Sequence, residues 1–212
     1  MQAPDVTDLV IPEPGGWMTC PKMEINHPGL AYFCSLDQLI VAAKKDPLHD
    51  VIGKNDVSYT IFNTEGQKVF LAVQENKCRK YNIKVFNLYG NEVIQLKKRF
   101  KMCYNKTRIW SPPGNFLGSV EEVLCKWSCV KTFVVKNALQ KAVLIIQRRK
   151  IPFQYDYDIF SDGEKVGLLT NRWRFRNILN VKSFGVSFPV FMSVEYKVMM
   201  LCACFFIGIL KY

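Results

Sequence analysis

The 212-residue chain holds only two histidines, and neither has a neighbouring Cys, Glu or second His at ligand spacing. His27 lies in a proline-rich stretch and His49 in the Asp46-Pro-Leu-His-Asp50 turn, so each reads as a loop residue. Cys125-x3-Cys129 lacks the second pair that a structural zinc site requires. Phosphate-binding G-x-x-x-x-G-K-[ST] loops, G-x-S-x-G nucleophile turns and G-x-G-x-x-G dinucleotide turns are absent. Asp156 and Asp158 fall on one face of an expected strand, about 6.6 Å apart along it, and read as an acidic outer face. Nothing in this inventory supports covalent or acid–base catalysis, and the chain reads as a non-enzyme. The first seventeen residues carry Asp5, Asp8 and Glu13 but neither the basic start nor the apolar centre of a secretory signal. That predicts a protein that is not secreted, and its eight cysteines then read as thiols.

No uncharged apolar run is as long as the roughly 18 residues of a membrane-spanning helix. The longest such terminal run is Val198–Leu210, thirteen residues and about 20 Å as a helix. It is apolar all the way round, so it has no face to show to water. A helix over 198–210 therefore needs a container, and Val198, Leu201, Cys204, Phe205 and Ile207 are expected core residues. Basic residues exceed acidic ones by 29 to 18, a net charge of +11, which suits an anionic partner.

Five of the ten prolines fall in residues 1–29, which read as a flexible tail ahead of a domain over 30–212. Leu30, Phe33, Leu36, Leu39 and Ile40 predict an element docked on the main body, closed by Pro47. From Val57 onward a pattern recurs: a residue at i, a turn residue at i+3 and an aliphatic at i+6. It fits Asn63/Gly66/Val69, Asn87/Gly90/Val93, Ser111/Gly114/Leu117, Asn137/Gln140/Val143 and Phe160/Gly163/Val166. The turn positions lie 24, 24, 26 and 23 residues apart, and the flanks alternate with period two, as in Tyr81, Ile83 and Val85 against Asn82 and Lys84. Five consecutive hairpins make at least ten antiparallel strands, and sheets of that size tend to curl or close. A closed barrel of this size has an interior to fill. The sequence thus predicts a mainly β protein, a can-shaped antiparallel barrel around its own C-terminal helix.

Three clusters mix cations with aromatics or follow strands: Lys97-Lys98-Arg99, Arg148-Arg149-Lys150, and Arg172-Trp173-Arg174-Phe175-Arg176. In the last, Trp173 and Phe175 could enter a headgroup layer or stack on bases while the arginines hold phosphate. Lys97, Lys98, Arg99 and Arg172 to Arg176 are therefore the candidate contacts to anionic lipid or nucleic acid.

With these elements in place the chain resembles the phospholipid scramblase family. The likeness spans roughly Pro28 to Tyr212. It rests on Pro28-Gly-Leu30 with Leu36-Asp-Gln-Leu39, on Pro112-Pro-Gly-x-x-Leu-Gly-x-Val120, on Phe184-Gly-x-x-Phe-Pro189, and on Lys197-Val-Met-Met-Leu-Cys-Ala-Cys-Phe-Phe-Ile207. The resemblance implies a tubby-like fold of about twelve strands around a hydrophobic C-terminal helix. It also implies ATP-independent, bidirectional movement of phospholipids across the plasma membrane, switched by calcium, with the protein on the cytosolic face and some members in the nucleus. Family palmitoylation narrows here to Cys78 and Cys103. The family's acidic calcium segment corresponds here to Asn180, Lys182, Ser183, Phe191 and Ser193, none a carboxylate, and Trp173 to Phe184 holds Arg174, Arg176 and Lys182 but no acid. Calcium takes about six to eight oxygen ligands, so this chain is expected to lack the metal. Two functions follow: a scramblase on the anionic inner leaflet, or a non-transporting tubby-like module that binds anionic lipid or nucleic acid. No sequence feature sets an oligomeric state.

Overall fold

The computed structural model describes residues 10–11, 15–21, 29–43, 45–52, 57–77, 80–99, 105–123, 130–151, 155–171, 174–175 and 183–210. The period-two stretches form strands β1 (Val10–Ile11), β2 (Gln38–Ala42), β3 (Val57–Phe62), β4 (Lys68–Lys77), β5 (Lys80–Phe86), β6 (Glu92–Arg99) and β7 (Lys106–Trp110). They continue as β8 (Phe116–Val123), β9 (Thr132–Asn137), β10 (Ala142–Arg148), β11 (Tyr157–Ser161), β12 (Glu164–Thr170), β13 (Arg174–Phe175) and β14 (Ser183–Ser187). A one-turn helix α1 (His49–Ile52) and a long helix α2 (Val194–Leu210) complete the set. Strands β2 to β12 pair in sequence order, and β14 lies between β12 and β2, closing a twelve-stranded antiparallel barrel. The expected tubby-like architecture, a closed barrel around one C-terminal helix, is what forms. The two-residue strands β1 and β13 pair with each other in parallel, outside the barrel.

All five anticipated hairpins are present, and one device builds most of their turns. Asn63 Oδ1 accepts the N–H groups of Glu65 (3.1 Å) and Gln67 (2.8 Å). Asn87 Oδ1 does the same for Tyr89 (3.1 Å) and Asn91 (3.0 Å). The fourth residue of each loop then turns left-handed: Gly66, Gly90 and Gly114 have φ of 74°, 76° and 92°, where a Cβ is strained. Gln140 takes the same conformation at φ 62°. Beside each turn the register slips by one residue, at Ile61/Phe62, Val85/Phe86, Ile109/Trp110, Ala142/Leu144 and Ile159/Phe160. Such bulges increase twist and bend strands, which suits a sheet that must close.

The five hairpin turns share one end of the barrel, here the turn end; the other is the far rim. Residues 15–18 run beside the first hairpin: Gly15 N–H donates to Gly66 O (2.8 Å) and Met18 N–H to Lys68 O (2.8 Å). The element expected over residues 30–45 is a 3-10 turn, Ala31–Cys34, followed by β2. Tyr32 and Phe33 from that turn pack on Phe70, with ring centroids 5.5 and 5.3 Å away.

Helix α2 begins four residues earlier than the apolar run suggested and fills the barrel from the turn end to the far rim. Val198, Leu201, Cys204, Phe205 and Ile207 are all buried, as is every residue from Lys197 to Gly208. Phe205 sits edge-on to Tyr59 (5.5 Å) and Phe184 (5.9 Å), and Phe206 edge-on to Phe133 (5.9 Å). Each buried aromatic contributes roughly 1.5–3 kcal/mol through desolvation. No helix among the described residues is long and apolar enough to cross a membrane.

Two buried polar residues, His49 and Lys197, are structural. His49 is fully buried: its Nδ1 accepts the Asp46 N–H (2.8 Å), so Nε2 carries the proton and points at Tyr59 O (3.1 Å) and Ala72 O (3.3 Å). It fastens α1 to β3 and β4. Lys197, which interrupts the apolar pattern in the sequence, is 0% exposed, and its ammonium donates to Phe33 O, Leu36 O and Val190 O, each at 2.7 Å.

Candidate functional site

Antiparallel hairpins turning at one end deliver every second strand end to the other. Strands β6, β10 and β12 all finish at the far rim, so Arg99, Arg148 and the residues leading to Arg172 arrive there from distant parts of the sequence. Two of the three basic clusters are thereby on one rim. Arg172, Trp173 and Arg176 of the third lie outside the described residues, as do the side chains of Arg174, Phe175 and Arg99. The backbone of Arg174 and Phe175 pairs with Val10 and Ile11.

The strand alternation splits the first cluster. Lys97 faces solvent, but Lys98 turns inward and is only 7% exposed, which corrects its assignment as a surface contact. Its ammonium lies 5.2 Å from the centroid of Phe206 and 5.5 Å from that of Tyr81. Burial draws the Lys98 pKa below the usual lysine range, while Glu122 opposes that shift. Beside the C-terminal half of α2, this charge also complements the negative end of the helix dipole.

The second cluster divides too. Arg149 bonds Asp158 (Nη2 to Oδ1 2.8 Å), which also receives Lys165 (2.8 Å). Burial would raise the Asp158 pKa, but the Arg149 and Lys165 hydrogen bonds hold it below the ordinary carboxylate range. Asp156 is not an exposed member of an acidic face: it is fully buried and accepts the Thr170 hydroxyl at 2.6 Å. Arg148 stacks on Tyr155 (4.5 Å to the centroid), and Lys150 is exposed next to exposed Ile151.

Most nearby outward cations are neutralised. Lys84 meets Glu75 (3.3 Å), and Lys106 and Lys136 share Glu121. Among the described residues Lys97, Arg108, Lys131, Arg148 and Lys150 have no ion-pair partner. The sequence reading missed Arg108 and Lys131 because each is an isolated cation; only strand register brings them to the clusters.

The described part of the degenerate calcium segment does not fit that ion. Ser183 is buried in β14, Phe191 is 84% exposed, and Ser193 accepts the Tyr196 N–H (3.4 Å). Asn180 and Lys182 lie outside the described residues, as do Cys78 and Cys103. No three His, Cys, Asp or Glu among the described residues are grouped to hold a metal.

Cys202 and Cys204 are fully buried, and burial raises both thiol pKa values. A thiolate-directed reagent is expected to modify exposed Cys20 in the native protein and to reach Cys202 and Cys204 only in denaturant. Peptide mass spectrometry after labelling checks this, and native labelling of either helix thiol would contradict the buried plug.

A family model described as Scramblase matches residues 18–212. Phospholipid scramblase 2 from Bos taurus is 28% identical, aligned over 90% of this chain and 74% of its own. Phospholipid scramblase family member 5 from Homo sapiens is 26% identical over 93% of this chain and 80% of its own. A solved protein from Arabidopsis thaliana shares the fold with a TM-score of 0.51 and 10% identity, covering 84% of this chain and 94% of that one.

Proposed function

This chain belongs to the scramblase family, and from that premise we propose that it binds the anionic cytosolic leaflet of the plasma membrane through its far rim and promotes ATP-independent, bidirectional movement of phospholipids between leaflets. The supporting observation is the rim itself, where Lys131, Arg148 and Lys150 stand without carboxylate partners beside exposed Ile151 and Tyr155. Cations near an anionic leaflet contribute about 1 kcal/mol each, and a partly apolar rim can settle into the headgroup layer. Calcium has no part in this reading, because the segment that would hold it supplies no carboxylate.

Co-sedimentation with phosphatidylserine vesicles tests the binding step. Replacing Lys131, Arg148 and Lys150 together with Gln is expected to weaken binding about 100-fold, from about 3 kcal/mol lost, and added salt should weaken the parent protein in the same direction. Undiminished binding of the triple variant would remove the rim from the account. Quenching of labelled lipid in reconstituted vesicles tests transport, with equal rates expected in calcium and in chelator.

One observation favours a second reading. The barrel interior is filled by an apolar helix, which offers headgroups no polar path across hydrocarbon. Vesicle binding without lipid exchange would identify the protein as a non-transporting module that recognises the anionic surface. Stronger binding to DNA than to vesicles at matched salt would move that module to nucleic acid.

A further inference from the structure

The barrel repeats one strand-edge geometry and fills it unevenly. Hairpins β3–β4 and β9–β10 match residue for residue at their turns. Asn63 N–H donates to Gln67 O as Asn137 N–H does to Lys141 O, both at 3.0 Å, and Gly66 and Gln140 are both left-handed. Each hairpin then carries a bulge, at Val69 and at Val143. Each second strand also starts ahead of its next neighbour: β4 first meets β5 at Leu71, and β10 first meets β11 at Ile145, the equivalent position. The residues before that point form a ledge whose outward backbone groups have no barrel strand beside them.

On β4 the ledge is occupied. Residues 15–18 lie along it in parallel, with Trp17 opposite Lys68. Gly15 N–H donates to Gly66 O (2.8 Å), Lys68 N–H to Gly16 O (3.0 Å) and Met18 N–H to Lys68 O (2.8 Å). On β6 the equivalent place is closed by Gly29, where a Cβ would lie 2.5 Å from Val93 Cγ1. On β10 it is open. Lys141 O faces β9, so alternation turns the N–H and O of Ala142 outward, and nothing among the described residues bonds them or Gln140 O. A cavity of about 340 Å³ lies there, walled by Val143, Ile145 and Phe160, and Asp162 is its one charged lining residue among those described. Ile145 is 42% exposed, and Leu139 in the adjoining turn 87%.

We propose that the first residues of β10 bind an extended peptide segment of a partner protein, which joins the sheet in parallel as residues 15–18 join β4. Main-chain bonds to Ala142 and Gln140 hold the segment, and a large apolar side chain seats in the cavity. Charge sets the kind of partner. The chain as a whole is strongly basic, at +11, yet this wall carries one acid and no base. That suits a neutral or basic segment and disfavours an anionic lipid or nucleic acid. The ledge lies at the turn end, away from Lys131, Arg148 and Lys150, so it is independent of the membrane reading and stays open while the far rim is engaged.

The probe is the capped peptide Pro-Gly-Gly-Trp-Met-Thr, the sequence of residues 14–19, titrated into isotopically labelled full-length protein while amide shifts are recorded. Saturable shifts at Ala142 to Ile145 are expected, with a Kd on the order of 1 mM for so few bonds. Ala142→Pro removes the outward N–H at the first residue of a strand, where proline is tolerated, and Ile145→Ser removes an apolar wall. Each is expected to raise Kd roughly tenfold. A peptide N-methylated at its methionine cannot donate to Ala142 O and should weaken similarly. The site is overturned by no saturable shift at these amides up to about 10 mM peptide, by equal binding of the N-methylated peptide, or by undiminished binding in both variants. Shifts of the same amides with protein concentration alone would make the occupant a second copy of this chain. Shifts on adding phosphatidylserine vesicles would make it lipid, and either result overturns the peptide assignment.

Discussion

Lys197→Met is expected to remove a large share of the protein's stability, roughly 3 kcal/mol or more. The ammonium donates to three carbonyls, those of Phe33, Leu36 and Val190, all at 2.7 Å. Its three N–H groups match three acceptors, which a neutral amine with two could not satisfy. Burial lowers the Lys197 pKa, and Cys34 and Asp37 oppose the shift. The methionine variant escapes the cost of burying a charge, but it removes the donor from three carbonyls, at about 1–3 kcal/mol each where no other donor reaches them. The orphaned carbonyls outweigh the relief, giving a loss of roughly 3 kcal/mol or more from a total stability of about 5–15 kcal/mol. Lys197→Arg should not rescue the fold, because a planar guanidinium cannot point three donors at three converging oxygens. Urea unfolding monitored by tryptophan fluorescence measures both; a methionine variant within about 1 kcal/mol of the parent would show the clamp to be dispensable.

The second large effect is expected at Gly118. A Cβ built there lies 2.2 Å from the Lys136 carbonyl oxygen and 3.2 Å from its carbon. Both belong to the neighbouring strand, so relief requires β8 and β9 to separate, and the barrel has no edge at which to release that strain. Gly118→Val should cost about 3 kcal/mol or more and move much of the expressed protein into the insoluble fraction. Gly90→Ala is the comparison: it has open space around its Cβ, and its left-handed φ of 76° predicts a smaller loss, about 1 kcal/mol. Equal midpoints for Gly118→Val and the parent would mean that the wall yields where the geometry says it cannot.

The barrel was legible because its signals are local. The Asn and Gly residues of each turn and the period-two flanks lie within about ten residues of one another, and the apolar run of α2 declares its need for a container. The two strands without a turn signal were not legible from the repeat. Strands β2 and β14 find each other across most of the chain, with Ile40 opposite Gly185, and the repeat gave at least ten strands without locating these two. Buried polar residues were misread for a related reason. Lys98, His49 and Asp156 look like surface until the partners that receive them are known, and Lys197 bonds Phe33 from 164 residues away. Extending the alternation Ile94, Leu96, Lys98 would have turned Lys98 inward. Two landmark motifs also acquire a packing reason: Gly118 leaves room for the adjacent strand, and the Phe184 ring fills the space beside Gly208, where a Cβ would lie 2.9 Å from it.

Closure by β14 against β2 has a consequence during synthesis. Gly185 follows Ile40 by 145 positions (185 − 40), so at about 5–20 residues per second the ribosome takes roughly 7–30 s to supply the strand that seals the seam. Throughout that interval the growing sheet presents Leu39, Ile61, Val85 and Leu96 on a concave surface whose stopper, α2, has not yet been translated. The nascent chain is then an unlidded greasy cup, a natural client for chaperones that shield apolar surface, and slowing translation just upstream of residue 183 should lengthen its stay with them.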